Sequence, residues 1–263
     1  MKKELPLNIR EIISKIESHY HDTFNLIAKI GNKIDEKLRL TPNDNKLIIG
    51  RDILKRIQTN INVLLNIKIS EHTVVAYRLI LRAMFADIVE AIYLVASAEK
   101  ELEEELWKRN LEAARTFEIW VKEKKEFYEK VDTQDTTNID LDKMYATFVK
   151  YVNPDSPKEF YSKNKNKKID TASMASCLKK HPAEIFYYVN QLYAHYRFLS
   201  LTEHYTTAFR ANSYLRPEDY LMFEDFSAWI FLGSKIFAEI LTEIVDTGTI
   251  KFILSDGTIL YSI

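Results

Sequence analysis

The chain has 263 residues and a net charge of −1, with 37 basic and 38 acidic side chains, so no overall field draws it to nucleic acid or to an anionic membrane. A hydrophobic content of 46% is enough for a substantial core, and only five glycines and six prolines interrupt the chain. This scarcity of residues that end regular structure favours long helices over many short strands. We predict an all-α fold, a bundle or array of about seven to nine helices followed by a short C-terminal β-hairpin.

The single cysteine and the absence of long apolar runs indicate where in the cell the protein resides and whether it binds a membrane. Cys177 is the only cysteine, which excludes an intramolecular disulfide and fits a reducing compartment. The first residues, MKKELPLNIREI, lack the apolar core of a signal peptide, and no run of about twenty uncharged apolar residues occurs. We therefore predict a cytoplasmic protein with no membrane partner and no DNA partner.

The first three predicted helices follow one another closely. Apolar residues at three- and four-residue spacing predict a helix over 7–38. Thr41 as N-cap and Pro42 at the first helical position then predict a second helix, which ends near Lys68. Ser70 is predicted to cap a third helix, and because this helix is apolar almost all the way round we expect it to be central and buried.

Four charged residues interrupt this third helix: Arg78, Arg82, Asp87 and Glu90. A buried charge without a partner is costly, so we expect each of them to pair with another of the four, with a neighbouring helix or with a ligand. Structural ion pairs are one interpretation. A small-molecule pocket is the other, and Arg78, Arg82 and Glu90, together with Ser200, are then candidate substrate-binding residues.

Further helices are predicted along the second half of the chain. They cover 99–131, 139–151, a short segment after Ser156, 172–180, a long segment from Pro182 to about 212, and a last segment from Pro217 to about 245. A lysine-rich loop at 163–168 is predicted to be a solvated connection.

The C-terminal residues differ in character from the rest. Asp256-Gly257 lies between two β-prone runs, which is typical of a tight hairpin turn. A lone hairpin is marginal in water, so we expect it to pack on the helices or on a partner chain. We predict a single domain over 1–263, with 1–68 as an N-terminal helical extension, 70–246 as the core bundle and 249–263 as the hairpin.

No motif for nucleotide binding, zinc hydrolysis or a nucleophilic serine occurs, so the candidate site depends on one helical stripe. Arg197 and His204 are seven residues apart in the helix that begins at Pro182, and they therefore project from the same side, about 10.5 Å apart along the axis. Tyr193 and Ser200 share this polar stripe. The apolar stripe that we predict to dock on the bundle contains Ala194, Phe198, Leu201, Tyr205 and Phe209.

This arginine and histidine pattern resembles the HEPN superfamily, all-α domains whose motif is an arginine, four to six residues and a histidine on one helix. The segment RLILRAMFADIVEAIYL, which contains Arg82 and Glu90, also looks like the central helix of HEPN-related families. The resemblance implies a metal-independent ribonuclease of a bacterial toxin or defence system, with Arg197 and His204 as catalytic residues, RNA as substrate, a homodimer and no cofactor. Active members usually carry a polar residue directly after the arginine, and Phe198 departs from that pattern.

The chemistry fits those residue types. Cleavage of RNA through its own 2′-hydroxyl needs a proton acceptor with a pKa near neutrality and a cation for the developing charge, which are roles for His204 and Arg197. Because the helical rise separates the two side chains, we expect them to act only where a second copy or another helix meets them.

Two other interpretations stay open. The chain is alternatively a non-enzymatic interaction module, which holds a partner by the hairpin or by an aromatic groove around Tyr187, Tyr188 and Trp229. The similarity between 71–78 and 203–210, which share Glu-His at the same offsets, indicates either two related helices at a common site or a chance match.

Overall fold

The computed structural model describes residues 8–131, 169–201 and 214–248. Every regular element in these ranges is helical, which confirms the all-α prediction for the described chain. The helices are α1 (Ile9–Leu40), α2 (Asn45–Asn66), α3 (Val74–Ala96), α4 (Glu99–Val131), α5 (Thr171–Lys180), a 3₁₀ turn (Glu184–Phe186), α6 (Val189–Ser200) and α7 (Asp219–Thr247).

Several predicted features lie outside the described residues. They are the helix 139–151, the helix after Ser156, the loop 163–168, the C-terminal part of the helix predicted to end near 212, and the hairpin 249–263. None of the helices in the described ranges carries an apolar segment long enough to cross a bilayer.

The chain divides into two compact units, formed by the described parts of Met1–Ala98 with Asp170–Ile263 and of Glu99–Ile169. In the first unit α1 packs along α7, and α3 packs against α2, α5, α6 and α7. The helices that we predicted as an N-terminal extension, α1 and α2, therefore belong to the same unit as α3 and α7.

Periodic apolar residues explain the helix packing in the first unit. The buried face of α1 repeats every three or four residues and includes Ile12, Ile16, Tyr20, Ile27, Ile34 and Leu38. The buried face of α3 is much wider, and only a narrow stripe with Ala76, Leu79 and Ala83 is exposed. The prediction of a central, buried third helix is thus confirmed.

Two helix crossings depend on the absence of a side chain. A Cβ atom at Gly50 of α2 would lie 2.5 Å from Leu241 Cδ2 of α7. A Cβ atom at Gly233 would lie 3.0 Å from Ile88 of α3 and 3.1 Å from Leu192 of α6. These glycines let α7 approach its neighbours closely, and any larger residue requires the facing side chains to move.

The predicted start of α2 is wrong. Asp44, not Thr41, is the N-cap, and its side chain accepts a hydrogen bond from the Leu47 N–H. The Thr41 hydroxyl instead donates to the Lys37 carbonyl at the end of α1. The competing use of Thr41 by the preceding helix explains why the start shifts by three residues.

Two other predicted helix starts are also wrong. The Ser70 carbonyl accepts from the Thr73 and Val74 N–H groups in a turn, so α3 begins four residues after Ser70. Pro182 does not begin the long helix. The Ala183 N–H donates to His181 Nδ1, a 3₁₀ turn follows, and α6 begins only at Val189. In both places a local turn satisfies the backbone before the helix forms.

The second unit contains α4, whose predicted bounds of 99–131 are confirmed. Glu105 of this helix is 3% exposed and accepts from the Ile169 N–H and from Arg109 Nε, both at 3.1 Å. Leu102 and Val121 are buried as well. The carboxylate of Glu105 therefore ties the described end of the unit, Ile169, to the first turns of α4.

Candidate functional site

The four charged residues of α3 each have a protein partner, and the partners come from four different helices. Arg78 pairs with Asp219 of α7 at 3.2 Å, and Arg82 Nε donates to Ser200 Oγ of α6 at 3.0 Å. Asp87 pairs with Arg56 of α2, and Glu90 accepts from Thr171 Oγ1 of α5 at 3.2 Å. The first interpretation, structural pairing with neighbouring helices, accounts for these contacts.

The pair of Arg78 and Asp219 is the most deeply buried of these contacts, since each side chain is 1% exposed. Burial lowers the pKa of Arg78, while the Asp219 carboxylate opposes the shift. Asp219 also accepts from the Arg216 N–H at 2.8 Å. None of the three guanidinium nitrogens of Arg78 has a well-oriented hydrogen-bond acceptor in the described part of the chain, and the Phe223 ring lies 5.7 Å from its guanidinium carbon. Among the described residues, Asp219 is therefore the counter-charge that contacts this buried cation.

Arg82 and Ser200 are the two candidate substrate-binding residues that the structure brings into direct contact. Arg82 also donates to the Tyr196 hydroxyl at 3.1 Å, and its guanidinium lies 4.7 Å from the centre of the Tyr196 ring. Ser200 in turn donates to the Tyr196 carbonyl at 2.8 Å. These contacts fix α6 against α3. Ser200 is half-buried, whereas Arg197 on the same helix is exposed.

The predicted docking face of α6 is wrong. Val189, Leu192 and Leu199 are fully buried, whereas Phe198 and Leu201 are 39% and 42% exposed, and Ala194 is exposed as well. The helix carries two apolar stripes, and the stripe with the branched aliphatic side chains packs against α3. The other stripe, from Ala194 to Leu201, faces outward. Tyr205 and Phe209 lie outside the described residues.

Arg197 is exposed on α6. Within the part of the chain that the structure describes, it has no carboxylate partner, unlike the buried Arg78 of α3. His204 lies outside the described residues, as does the segment 203–210 that resembles 71–78. The predicted catalytic arginine is therefore exposed in a single chain, and a catalytic role for it stays a prediction that requires a second copy or another helix at this stripe.

His195 was missed by the sequence reasoning, although it lies one turn from the buried Leu192 and Leu199. Its ring is surrounded by Phe85, Phe226 and Trp229, with centroid distances of 5.3, 5.2 and 5.6 Å. Burial lowers the pKa of His195, and the Asp225 carboxylate, 3.7 Å away, opposes this shift. The sequence signal was its position between two leucines at helical spacing, which is typical of a core histidine.

The lowered pKa of His195 predicts a loss of stability in acid. The unfolded chain binds the proton near its usual pKa of about 6.5, whereas the folded chain binds it only at lower pH, so stability falls as the pH drops from about 6.5 towards the folded value. Urea unfolding of wild type and His195→Phe at pH 7.5 and pH 5 checks this expectation. The wild type should lose more stability than the variant, and exposed His21→Gln serves as control. An equal loss in His195→Phe and wild type contradicts the prediction.

The other described histidines have ordinary roles. His19 Nδ1 bonds to Ser227 Oγ of α7 at 2.9 Å, His21 and His72 are exposed, and His181 accepts from the Ala183 N–H at 3.1 Å. No group of three or more His, Cys, Asp or Glu side chains within the described ranges is placed to hold a metal ion.

Three aromatic residues form a surface next to α6, which we call the aromatic surface: Tyr187, Tyr188 and Trp229. The rings of Tyr187 and Tyr188 are 5.4 Å apart, and those of Tyr188 and Trp229 are 6.2 Å apart. Tyr187 is 77% exposed and Tyr188 is 41% exposed. The residues that we predicted as an aromatic groove are therefore adjacent, and two of them are exposed.

No protein-family model, curated protein or solved structure matches this chain.

Proposed function

We propose that this chain is a HEPN-like protein of a bacterial defence or toxin system, which acts as a homodimer and cleaves RNA without a metal ion. In this proposal Arg197 stabilises the charge that develops on the phosphate, and His204 accepts the proton of the 2′-hydroxyl. The observation that supports it best is the exposure of Arg197 without a carboxylate partner in the described chain. A phosphate group can therefore reach this guanidinium without displacing an ion pair.

The homodimer is part of the proposal because of helix geometry. A separation of about 10.5 Å along the axis prevents Arg197 and His204 of one helix from acting on the same phosphate. A two-fold axis between two copies of this helix brings the arginine of one copy to the histidine of the other. The exposed stripe of Ala194, Phe198 and Leu201 next to Arg197 offers apolar surface for such a contact.

Incubation of the purified protein with single-stranded RNA in the presence of EDTA tests the activity. We expect the wild type to cleave, and we expect Arg197→Ala and His204→Ala each to lower the rate by about 10²-fold or more. The exposed residues Arg39 and His21 provide matched controls, and Arg39→Ala and His21→Ala should cleave as the wild type does. No cleavage, or equal cleavage by His204→Ala, removes the enzymatic proposal.

A mixing experiment tests the shared site. Equal amounts of Arg197→Ala and His204→Ala protein, mixed and allowed to exchange subunits, should form mixed dimers with one intact site. Since half of the dimers are mixed and each of them has one of two sites, activity should return to about a quarter of the wild-type value. No recovery, in a mixture shown to contain mixed dimers, contradicts a site that takes its arginine and histidine from different copies.

The alternative function is a non-enzymatic interaction module, which the exposed aromatic surface favours. Exposed tyrosines and tryptophans supply large contact areas in protein interfaces. Under this alternative the chain is inactive on RNA and co-purifies with a partner through Tyr187 and Tyr188. A monomer that retains no partner counts against it.

A further inference from the structure

A cavity of about 310 Å³ opens between α1, α2 and the start of α3, and no residue of α6 lines it. Its wall is mainly aliphatic and consists of Ile13, Ile16, Leu64, Leu65, Ile67 and Ile69. The volume falls in the range of small-molecule pockets. Since a water molecule takes about 30 Å³, the cavity has room for about ten water molecules. The inner residues Ile16 and Leu64 are buried, whereas Ile13 and Leu65 are half-exposed at the mouth.

Two buried tyrosines, Tyr20 and Tyr77, belong to the lining of this cavity. Tyr20 and Tyr77 are each 1% exposed, and their hydroxyl oxygens lie 2.9 Å apart. The two groups carry two protons, but the single contact between them uses only one. Whichever hydroxyl donates, the proton of the other has no acceptor in the described part of the chain. A buried donor without an acceptor is unfavourable. A ligand oxygen that accepts a hydrogen bond from this hydroxyl would remove that cost.

The charges around the cavity favour a neutral ligand. Burial raises the pKa of Tyr20 and of Tyr77 well above the usual value, and the Glu17 carboxylate raises that of Tyr77 further, so both phenols stay neutral. The charged lining residues are Glu17 and Lys68, and both are exposed. An anionic group at the tyrosines would thus be buried without a cation beside it, which is costly.

We propose that this cavity binds a neutral, mostly apolar molecule of about ten non-hydrogen atoms, whose carbonyl or ether oxygen accepts the free proton of the Tyr20 and Tyr77 pair. The aliphatic wall provides apolar contact, and the hydroxyl pair sets the orientation of the oxygen. This site is independent of Arg197 and His204, so its test does not depend on ribonuclease activity.

Three probes of similar size and different chemistry test the site: acetophenone, ethylbenzene and benzoate. Binding is measured by NMR chemical-shift changes on the full chain. Acetophenone should bind about three- to tenfold more tightly than ethylbenzene, because it alone of these two accepts a hydrogen bond. Benzoate should bind more weakly than acetophenone. No binding of acetophenone at millimolar concentration, or equal binding of benzoate, overturns the proposal.

Two variants locate the binding. In Tyr20→Phe/Tyr77→Phe both rings stay and both hydroxyls are lost, so the preference for acetophenone over ethylbenzene should disappear. Leu65→Trp fills the mouth and should weaken both probes, whereas Tyr214→Phe, at a tyrosine that is 68% exposed, should change neither. A preference that persists in the double variant, or binding unchanged in Leu65→Trp, places the probes elsewhere and overturns the proposal. Because the preference is a ratio, it does not depend on the stability of the variant.

Discussion

Asp219→Ala is expected to lower the free energy of unfolding by about 3–5 kcal/mol, because it leaves the Arg78 guanidinium buried without a counter-charge. Both side chains are 1% exposed, so water cannot replace the lost carboxylate without opening the core. The variant also removes the acceptor of the Arg216 N–H, which lies 2.8 Å from Asp219. Urea unfolding followed by circular dichroism measures the loss.

A matched control lies on the same helix. Asp225 is 56% exposed and contacts His195 at 3.7 Å, so Asp225→Ala should cost far less than Asp219→Ala. Arg78→Met/Asp219→Ala should be more stable than Asp219→Ala alone, because removing the buried cation relieves most of the penalty. If the double variant loses as much as the sum of the two single variants, Arg78 and Asp219 are not coupled and the account of this pair is wrong.

Phe85→Ala should cost about 3–5 kcal/mol, whereas Phe198→Ala should cost less than about 1 kcal/mol. Both rings lie near Phe226, at 6.0 Å and 6.1 Å, but Phe85 is fully buried in α3 and Phe198 is 39% exposed on α6. The loss of the Phe85 ring leaves a cavity beside His195, while solvent and neighbouring side chains fill the space left by Phe198.

The comparison of the two phenylalanine variants also tests which face of α6 packs on the bundle. The sequence-based prediction placed Phe198 inside, in which case both variants would be similarly destabilised. Equal losses in urea unfolding would therefore support the predicted docking stripe over the observed one. A large loss for Phe85→Ala alone supports the buried stripe of Val189, Leu192 and Leu199.

Helix existence was predictable from the sequence where periodicity is strong, as in α4 and α5. Helix starts were harder to predict, because Thr41, Ser70 and Pro182 each fit a cap rule but also take part in a local turn. α6 has two apolar stripes, and the shape of α3 decides which of them packs inward. The sequence of α6 alone therefore does not predict its buried face. The burial of Arg78 was expected, but its partner Asp219 is remote in the chain, and no sequence pattern links the two residues.

For the candidate site, the sequence indicated the residue types but not their surroundings. Of the predicted set, Arg82 and Ser200 contact each other, whereas Arg78 and Glu90 contact Asp219 and Thr171 on other helices. The cavity beside Tyr20 and Tyr77 left no sequence signal, since the two tyrosines lie 57 residues apart on different helices.

The contacts of α3 also constrain the order of events during synthesis. Arg82 meets Ser200 across 118 residues, and His19 of α1 meets Ser227 of α7 across 208 residues. When α3 leaves the ribosome, the partners of its two arginines do not yet exist, and of α2, α5, α6 and α7, which pack against it, only α2 has been made. The nascent chain must therefore hold its most aggregation-prone helix in an incomplete assembly until α7 has emerged.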